Sequence, residues 1–438
     1  MKRNGFSGVT KLFKKPLILL FVFISVISLP TAISLTAVAF RSAIVLAMGI
    51  DLDESNNVEL SAVINISSTS ESLSENTKLL VSKGQTLGDA FKNMHIQYGR
   101  PFKLGHTRFV LIGENIAKQN LTQTLDGLVR TNKMRNTVQL LYCDDNLIDF
   151  FNVAIALKGS TGIKISDIVC YQQDFSTTMI SSNIDSFYRG YLSESGISRL
   201  NYISLTNNES EGISPNSEQN PATESSSGGG SSSAGSNDSQ NVGDDSESVN
   251  SSTSEQAKKQ FISNRSELAI FKNGSFKVVL SKELSEGVYW ADKNYLPKRL
   301  LVEIESKDEF DGSMVSFDVL FKDVRVETFF YKDIPFYDYT IDLTIDINEI
   351  ISPNYRYVEI HKDIIDKDLK NAVTKYIKEK IANCSKFAKI SDLDILELNN
   401  TYFLKNHRQY KKYKEKHLYE KNILEETIIS SKVEIKVV

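Results

Sequence analysis

Residues Thr206 to Ala257 contain sixteen serines and nine acids, and not one base or aromatic side chain. A stretch of this kind cannot bury enough apolar surface to offset the chain entropy that folding removes. It reads as a flexible acidic linker or loop insertion, drawn here as residues 206–262, and a specific acidic recognition segment is the other use such a run can have. It leaves two stretches that can fold: 41–205, and 263–438, with 263–297 as a candidate small module of its own. The whole chain is 41% hydrophobic and 10% aromatic, ample for packed cores. Setting aside the linker acids and the bases of the first fifteen residues brings the remainder to zero net charge. That balance speaks against nucleic-acid binding, which normally brings a basic excess. Cys143, Cys170 and Cys384 form no C-x-x-C pair and are too few for a disulfide framework.

The N-terminus sets topology. Lys2, Arg3, Lys11, Lys14 and Lys15 precede Leu17–Phe40, 24 residues without a charge. A helix rising about 1.5 Å per residue needs roughly 20 to cross the hydrocarbon core. The basic flank stays cytoplasmic by the positive-inside rule, which sends the bulk of the chain outside. A cleaved signal peptide is the second possibility, with Leu17–Leu29 as its apolar core and Ala37-Val38-Ala39 at the cleavage site. Either way the expected location is the cell membrane or its outer side, with at most one span.

Between this run and the linker, apolar periodicity predicts strands at Ala43–Asp51, Val58–Ile66, Thr107–Gly113 and Thr137–Cys143. Helices are predicted at Thr86–Tyr98, Glu114–Arg130 and Asn146–Leu157. Beyond the linker the pattern gives a strand, a turn at Asn273-Gly274 and a second strand within Glu267–Leu280, then a short helix at Glu283–Tyr289. Strands follow at Arg299–Glu305, Ser313–Phe321 and Asp323–Phe330. In TIDLTIDINEI, Ile341, Leu343, Ile345 and Ile347 share one face, and Asp342, Thr344, Asp346 and Asn348 the other. Lys362–Phe387 is an amphipathic helix with Ile365, Leu369, Val373, Tyr376, Ile377 and Ile381 along one stripe, and Val433–Val438 a final strand. The expected class is α+β: a mixed α/β, multi-domain exported protein with an N-terminal transmembrane helix.

Candidate chemistry is sparse. His106, in KLGHTRF, is either a partner or ligand contact, together with Arg108, or a turn histidine bonded to backbone. Asp342 and Asp346 share a strand face and could hold Ca²⁺ or act as acid and base, or be the wet side of a sheet. Lys405–Lys421 is basic with interleaved tyrosines; Lys411, Lys412 and Tyr413 could meet anionic lipid or an acidic partner, or form a solvated helix with its tyrosines inward. Phosphate-cradling GxGxxG and GxxxxGK[ST], HExxH and G-x-S-x-G are all missing, so no catalytic residue, cofactor site or metal site is assigned.

Four segments resemble the Ger(x)C family, the C-subunit of bacterial spore germinant receptors. They are AIVLAMGID (Ala43–Asp51); GRPFKLGHTRFVLIGENIA (Gly99–Ala117) with Leu128–Arg130 and TVQLLY; AIFKNGSFKVVLSKELSEGVYW (Ala269–Trp290); and the closing KYIKEKIANCSKFAKISDLDIL with a basic aromatic stretch and a last strand. The resemblance implies a non-enzymatic accessory subunit outside the inner membrane, beside two integral-membrane receptor subunits, coupling nutrient sensing to germination through protein contacts. That family usually carries a lipid-bearing cysteine before the first strand. Here TAVAFRSAIVL stands there, so Leu17–Phe40 would have to supply the tether. An extracytoplasmic protein binding a solute or a cell-wall fragment is the alternative.

Overall fold

The computed structural model describes residues 43–65, 77–132, 134–161, 164, 165, 167, 180–207, 260–305, 312–351, 362–417 and 423–438. The expected membrane span Leu17–Phe40, Cys170 and the serine-rich segment from residue 208 onward lie outside them. No helix among the described residues is long and apolar enough to cross a membrane.

Among those residues the first sheet has nine strands. Eight run in the order β3 (Thr77–Gly84), β2 (Val58–Asn65), β1 (Ala43–Leu52), β5 (Phe109–Ile112), β6 (Gln139–Tyr142), β7 (Ile197–Asn207), β8 (Gln260–Lys272) and β9 (Ser275–Leu280). The two-residue β4 (Phe102–Lys103) also pairs with β1. The centre, β1-β5-β6-β7, is parallel; β2 and β3 add on antiparallel. Parallel neighbours need crossovers, which come from α1 (Leu87–Tyr98), α2 (Glu114–Ala117), α3 (Leu121–Asn132), α4 (Leu147–Thr161) and α5 (Ile184–Tyr191).

The sequence segments that resemble the germination family have local physical reasons. At Gly49 on β1 an added Cβ would stand 2.9 Å from the Phe151 ring of α4 and 2.5 Å from Ser61 Oγ, so only glycine lets α4 lie on the sheet. Asp51, at the end of β1, accepts the Ile116 N–H at 3.0 Å and caps α2. Burial pushes its carboxyl above the usual range, while the α2 N–H groups pull it back. The Leu-Gly-His element is a 3-10 turn, Leu104–His106. Leu104 plugs the core, and Thr107 donates its hydroxyl to the Val45 carbonyl at 3.3 Å, tying the turn to β1.

The predicted turn at Asn273-Gly274 is a two-residue hairpin loop with φ of 54° and 83°. Its Gly274 carbonyl accepts the Leu121 N–H at 2.9 Å, and Phe276 stacks on Tyr142 with centroids 4.6 Å apart. This hairpin extends the first sheet, although it follows the serine-rich segment in sequence. The strands β7 and β8 that flank the segment are neighbours in one sheet.

The second sheet has the order β10 (Arg299–Ile304), β11 (Ser313–Tyr331), β12 (Ile334–Ile351) and β13 (Ile428–Val437). The first three are antiparallel, and β13 runs parallel to β12. The return is made by α7 (Lys362–Ser391), α8 (Leu398–Lys405), α9 (His407–Lys416) and α10 (Ile423–Glu426). On α7, Leu369, Val373, Ile377, Ile381 and Ala388 face the core; the side chain of Ile365 is outside the described residues. The remaining helix, α6 (Lys282–Ala291), crosses α7 closely at Gly287, where a Cβ would sit 2.4 Å from the Lys380 carbonyl oxygen.

The two strands expected at Ser313–Phe321 and Asp323–Phe330 are a single strand. A bulge at Leu320 shifts its register against β12 between Val319 and Phe321. Before the bulge Val315, Phe317 and Val319 face inward; after it Lys322 and Val324 do. One extra residue flips every later side chain to the opposite face. The observed class is α+β with two sheets; the transmembrane helix of the expectation is outside the described residues.

Candidate functional site

The bulge brings a lysine into the protein. Lys322 is 9% exposed, and its Nζ donates to the carbonyls of Tyr289 (2.7 Å), Asp292 (2.7 Å) and Tyr295 (2.9 Å). An ammonium has three protons, and each has an acceptor. The ammonium also stands 5.7 Å from the centre of the Trp290 ring and 5.4 Å from that of Tyr295. Burial pushes its pKa down to about 7, with Asp292 pulling the other way. Lys322 therefore ties β11 to the end of α6.

A second cation meets that end from the first sheet. Arg199 of β7 pairs with the Asp292 carboxylate at 3.5 Å and, more closely, with Glu397. Its side chain is 16% exposed. Burial works against its charge, but Glu397 and Asp292 together hold it above the ordinary arginine value. Glu397 starts α8 in the left-handed region at φ 56°, a strained position for a side chain with a Cβ. The turn is fixed by Asp394, 3% exposed, which accepts the Leu398 and Asn399 N–H groups at 2.8 Å each. Burial raises the Asp394 carboxyl, and these two donors oppose the shift.

Two clefts open on either side of Arg199. One, of about 430 Å³, is walled by Ser186, Arg189, Ser198, Arg199, Asn294 and Glu397. The other, of about 540 Å³, is walled by Arg199, Asn294, Val324, Tyr337, Glu397 and Thr401. Both arginines of the first cleft are engaged, Arg199 as above and Arg189 by Asp185 at 3.1 Å. Among the described residues no three His, Cys, Asp or Glu side chains gather as metal ligands. What the junction does chemically is hold parts of the fold together by charge: β7 of the first sheet, the end of α6, and the start of α8.

The residues singled out from sequence lie elsewhere. His106 and Arg108 are exposed near the start of β5, and Arg108 spends its backbone bridging β1 and β6 through Leu46 and Gln139. Lys411 and Lys412 are exposed on α9. Tyr413 is 3% exposed and donates its hydroxyl to Glu426 at 2.8 Å, so it faces the core and not a partner. None of the five lines either cleft. Asp342 accepts from Arg325 at 2.5 Å on the outer face of β12. Cys143 is buried, which pushes its thiol well above the usual range. Arg199 and Lys322 were not singled out, because their partners are distant in sequence. The switch of apolar positions from odd (Val315, Phe317, Val319) to even (Val324, Val326) is the signal that marks the bulge and hence Lys322.

Comparison with known proteins assigns both parts of this fold to spore germination. Residues 41–205 match the family model described as spore germination protein N-terminal domain. Residues 266–438 match the one described as spore germination B3/GerAC like, C-terminal. The chain belongs to the Ger(x)C family, and is thus a subunit related to germinant receptors. A solved structure described as the GerBC protein aligns over 89% of this chain and 96% of its own, at 13% identity and a TM-score of 0.45. No curated protein matches the chain.

Proposed function

We propose that this chain is a non-enzymatic subunit of a spore germinant-receptor complex, anchored by Leu17–Phe40 and placed outside the membrane. There it couples nutrient sensing to germination through contacts with integral-membrane receptor subunits. The observation that carries the proposal is the match of both parts of the chain to germination families, residues 41–205 and 266–438. The ionic junction agrees with a role in contact: Arg199 and Lys322 cross-link the first sheet, α6, α8 and β11, so a load on one element is felt by the others. Tethering adds effective concentration, which lets weak interfaces assemble without high intrinsic affinity.

Affinity purification of the full chain from detergent extracts of spores tests the proposal. Two polytopic membrane proteins should co-purify, and deletion of this chain should abolish the nutrient response of the same receptor. A clean, partner-free monomer under mild extraction would overturn it. Saturable thermal stabilisation of the isolated chain by one amino acid, sugar or muropeptide would instead favour solute binding.

A further inference from the structure

The outer face of the β11–β12 hairpin ends in an exposed apolar cluster. Phe329 pairs across the strands with Phe336, their rings stacked with centroids 5.0 Å apart and planes 3° from parallel. Phe336 pairs in turn with Ile428 at the start of β13, and Tyr331 with Ile334 at the tip. Residues paired directly, or two apart along a strand, share a face, so all five lie on one surface. Exposure is 42% for Phe329, 58% for Tyr331, 41% for Ile334 and 46% for Ile428. These are large apolar groups that a soluble surface has reason to cover.

A basic helix stands at the same tip. On the inner face Phe330 packs against Tyr402 of α8 and Tyr413 of α9, which fixes those helices beneath the hairpin. The end of α9 then emerges beside the turn, where Lys416 pairs with Asp333. Lys416 and then Lys412 hold the Asp333 carboxyl below its ordinary value, which places Lys412 within electrostatic reach of the tip as well. The helix, HRQYKKYKEK, has Arg408, Lys411, Lys412, Lys414 and Lys416 against the lone acid Glu415, itself 3.9 Å from Lys411. Lys332 adds a further base in the turn, over the Tyr331 ring.

We infer that the hairpin tip and α9 form a membrane-docking edge, with Phe329, Tyr331, Ile334, Phe336 and Ile428 entering the interfacial zone of an anionic bilayer and the α9 bases holding its headgroups. The occupant is argued from chemistry: aromatic rings favour the headgroup level, and clustered lysines complement anionic lipid. Acids do flank the patch, Glu327 and Asp338 one row behind the Phe329–Phe336 pair, where they stay in water as the tip enters. The inference rests on the membrane location proposed above and adds a second, reversible contact to the anchor. Within that edge the apolar rings and the basic patch together bind a bilayer far better than either alone.

The test uses the full chain reconstituted into vesicles, with Tyr331→Trp as a reporter. The one native tryptophan, Trp290, is 2% exposed and serves as the internal reference. Vesicles contain bromine-labelled phosphatidylcholine, with or without phosphatidylglycerol. With the anionic lipid, emission from residue 331 should fall at least twofold more than in pure phosphatidylcholine. Lys411→Glu with Lys412→Glu should remove that difference. Flotation of the chain with vesicles reads the anchor separately. A chain that fails to float defeats the anchoring proposal and not the docking edge, for which soluble chain added to anionic vesicles then supplies the same readout. A chain at the membrane whose residue 331 is unquenched, or equally quenched in both lipids, overturns the docking edge. So does quenching that vanishes once integral receptor subunits are co-reconstituted, since the face then belongs to a protein.

Discussion

The two sheets hide their strands in different ways. In the first, consecutive residues Phe109, Val110, Leu111 and Ile112 are all fully buried, because helices cover both faces of a parallel centre. In the second, Ile341, Leu343 and Ile345 are buried while Asp342, Thr344 and Asp346 face outward, and β13 alternates along its whole length. A strand covered twice offers neither face to a partner. A sheet covered once keeps a face and two ends on which to meet something else. Among the described residues the exposed aromatic rings Phe321, Phe329, Tyr331 and Phe403 and the basic helix α9 belong to the second sheet or its connections.

The largest test of that contrast is alanine scanning across neighbours. Val110→Ala and Leu111→Ala, adjacent and pointing to opposite faces, should both be costly, Leu111→Ala by about 2–5 kcal/mol. In the second sheet Ile341→Ala should cost a similar ~2–5 kcal/mol, but Thr340→Ala and Thr344→Ala under about 0.5 kcal/mol. Denaturant midpoints of the full chain in mild detergent give the comparison. A large loss from Thr340→Ala would mean that the outer face is covered in the isolated protein, and the contrast would fall.

Lys322 comes next, as the polar group the second sheet does bury. Lys322→Met removes three hydrogen bonds and leaves three carbonyls near the end of α6 without that donor, for an expected loss of about 3 kcal/mol. The sign of its pH dependence follows from linkage. With a folded value of about 7 against an ordinary 10.5, the unfolded chain holds more protons between those limits. The lysine's contribution to stability should therefore rise from pH 7 to pH 10.5 and level off on either side. Stability of the native chain minus that of Lys322→Met, measured across this range, should climb. A flat difference would show that the three-carbonyl cage keeps the ammonium as basic as it is in water.

Much of this was legible in the sequence, and the failures have physical causes. Strand β12 was visible because strict alternation on a half-wet sheet is a strong signal, and the Asn273-Gly274 turn because positive φ suits those two residues. Strand β7 was not, since its buried polar residues break the apolar pattern. Ser198 donates to the Phe187 carbonyl at 2.7 Å, and Asn201 both donates to and accepts from Ile180 at 2.7 and 3.0 Å. Such residues look exposed until their partners are known. The ionic junction was hidden for the same reason, as Arg199 meets Asp292 and Glu397 only after the sheet, α6 and α8 have assembled.

That junction supplies a smaller test. Glu397 is 33% exposed and Asp292 15%, so part of the attraction to Arg199 is screened by water. A double-mutant cycle with Arg199→Ala and Glu397→Ala should return a coupling of about 1–2 kcal/mol. The same cycle on Arg299 and Asp318, an ion pair on the outer face, should return a clearly weaker coupling. Equal couplings would mean that the junction is as wet as the open face and does not cross-link the elements it joins.

The smallest expected effect concerns the carboxylates of that face. Asp342 and Asp346 look from sequence like a pair that could share a cation. Their neighbours argue otherwise: Arg325 holds Asp342 at 2.5 Å, with side chains 61% and 29% exposed. Surface pairs of this kind contribute about 0.2–1 kcal/mol, and salt weakens them. Asp342→Asn should therefore change stability by less than about 1 kcal/mol, and the change should shrink further at high ionic strength. Added Ca²⁺ should leave the thermal midpoint of both proteins where it was. A calcium-dependent rise in the native chain that Asp342→Asn abolishes would make this face a metal site, and the division between a scaffold sheet and a contact sheet would have to include ion binding.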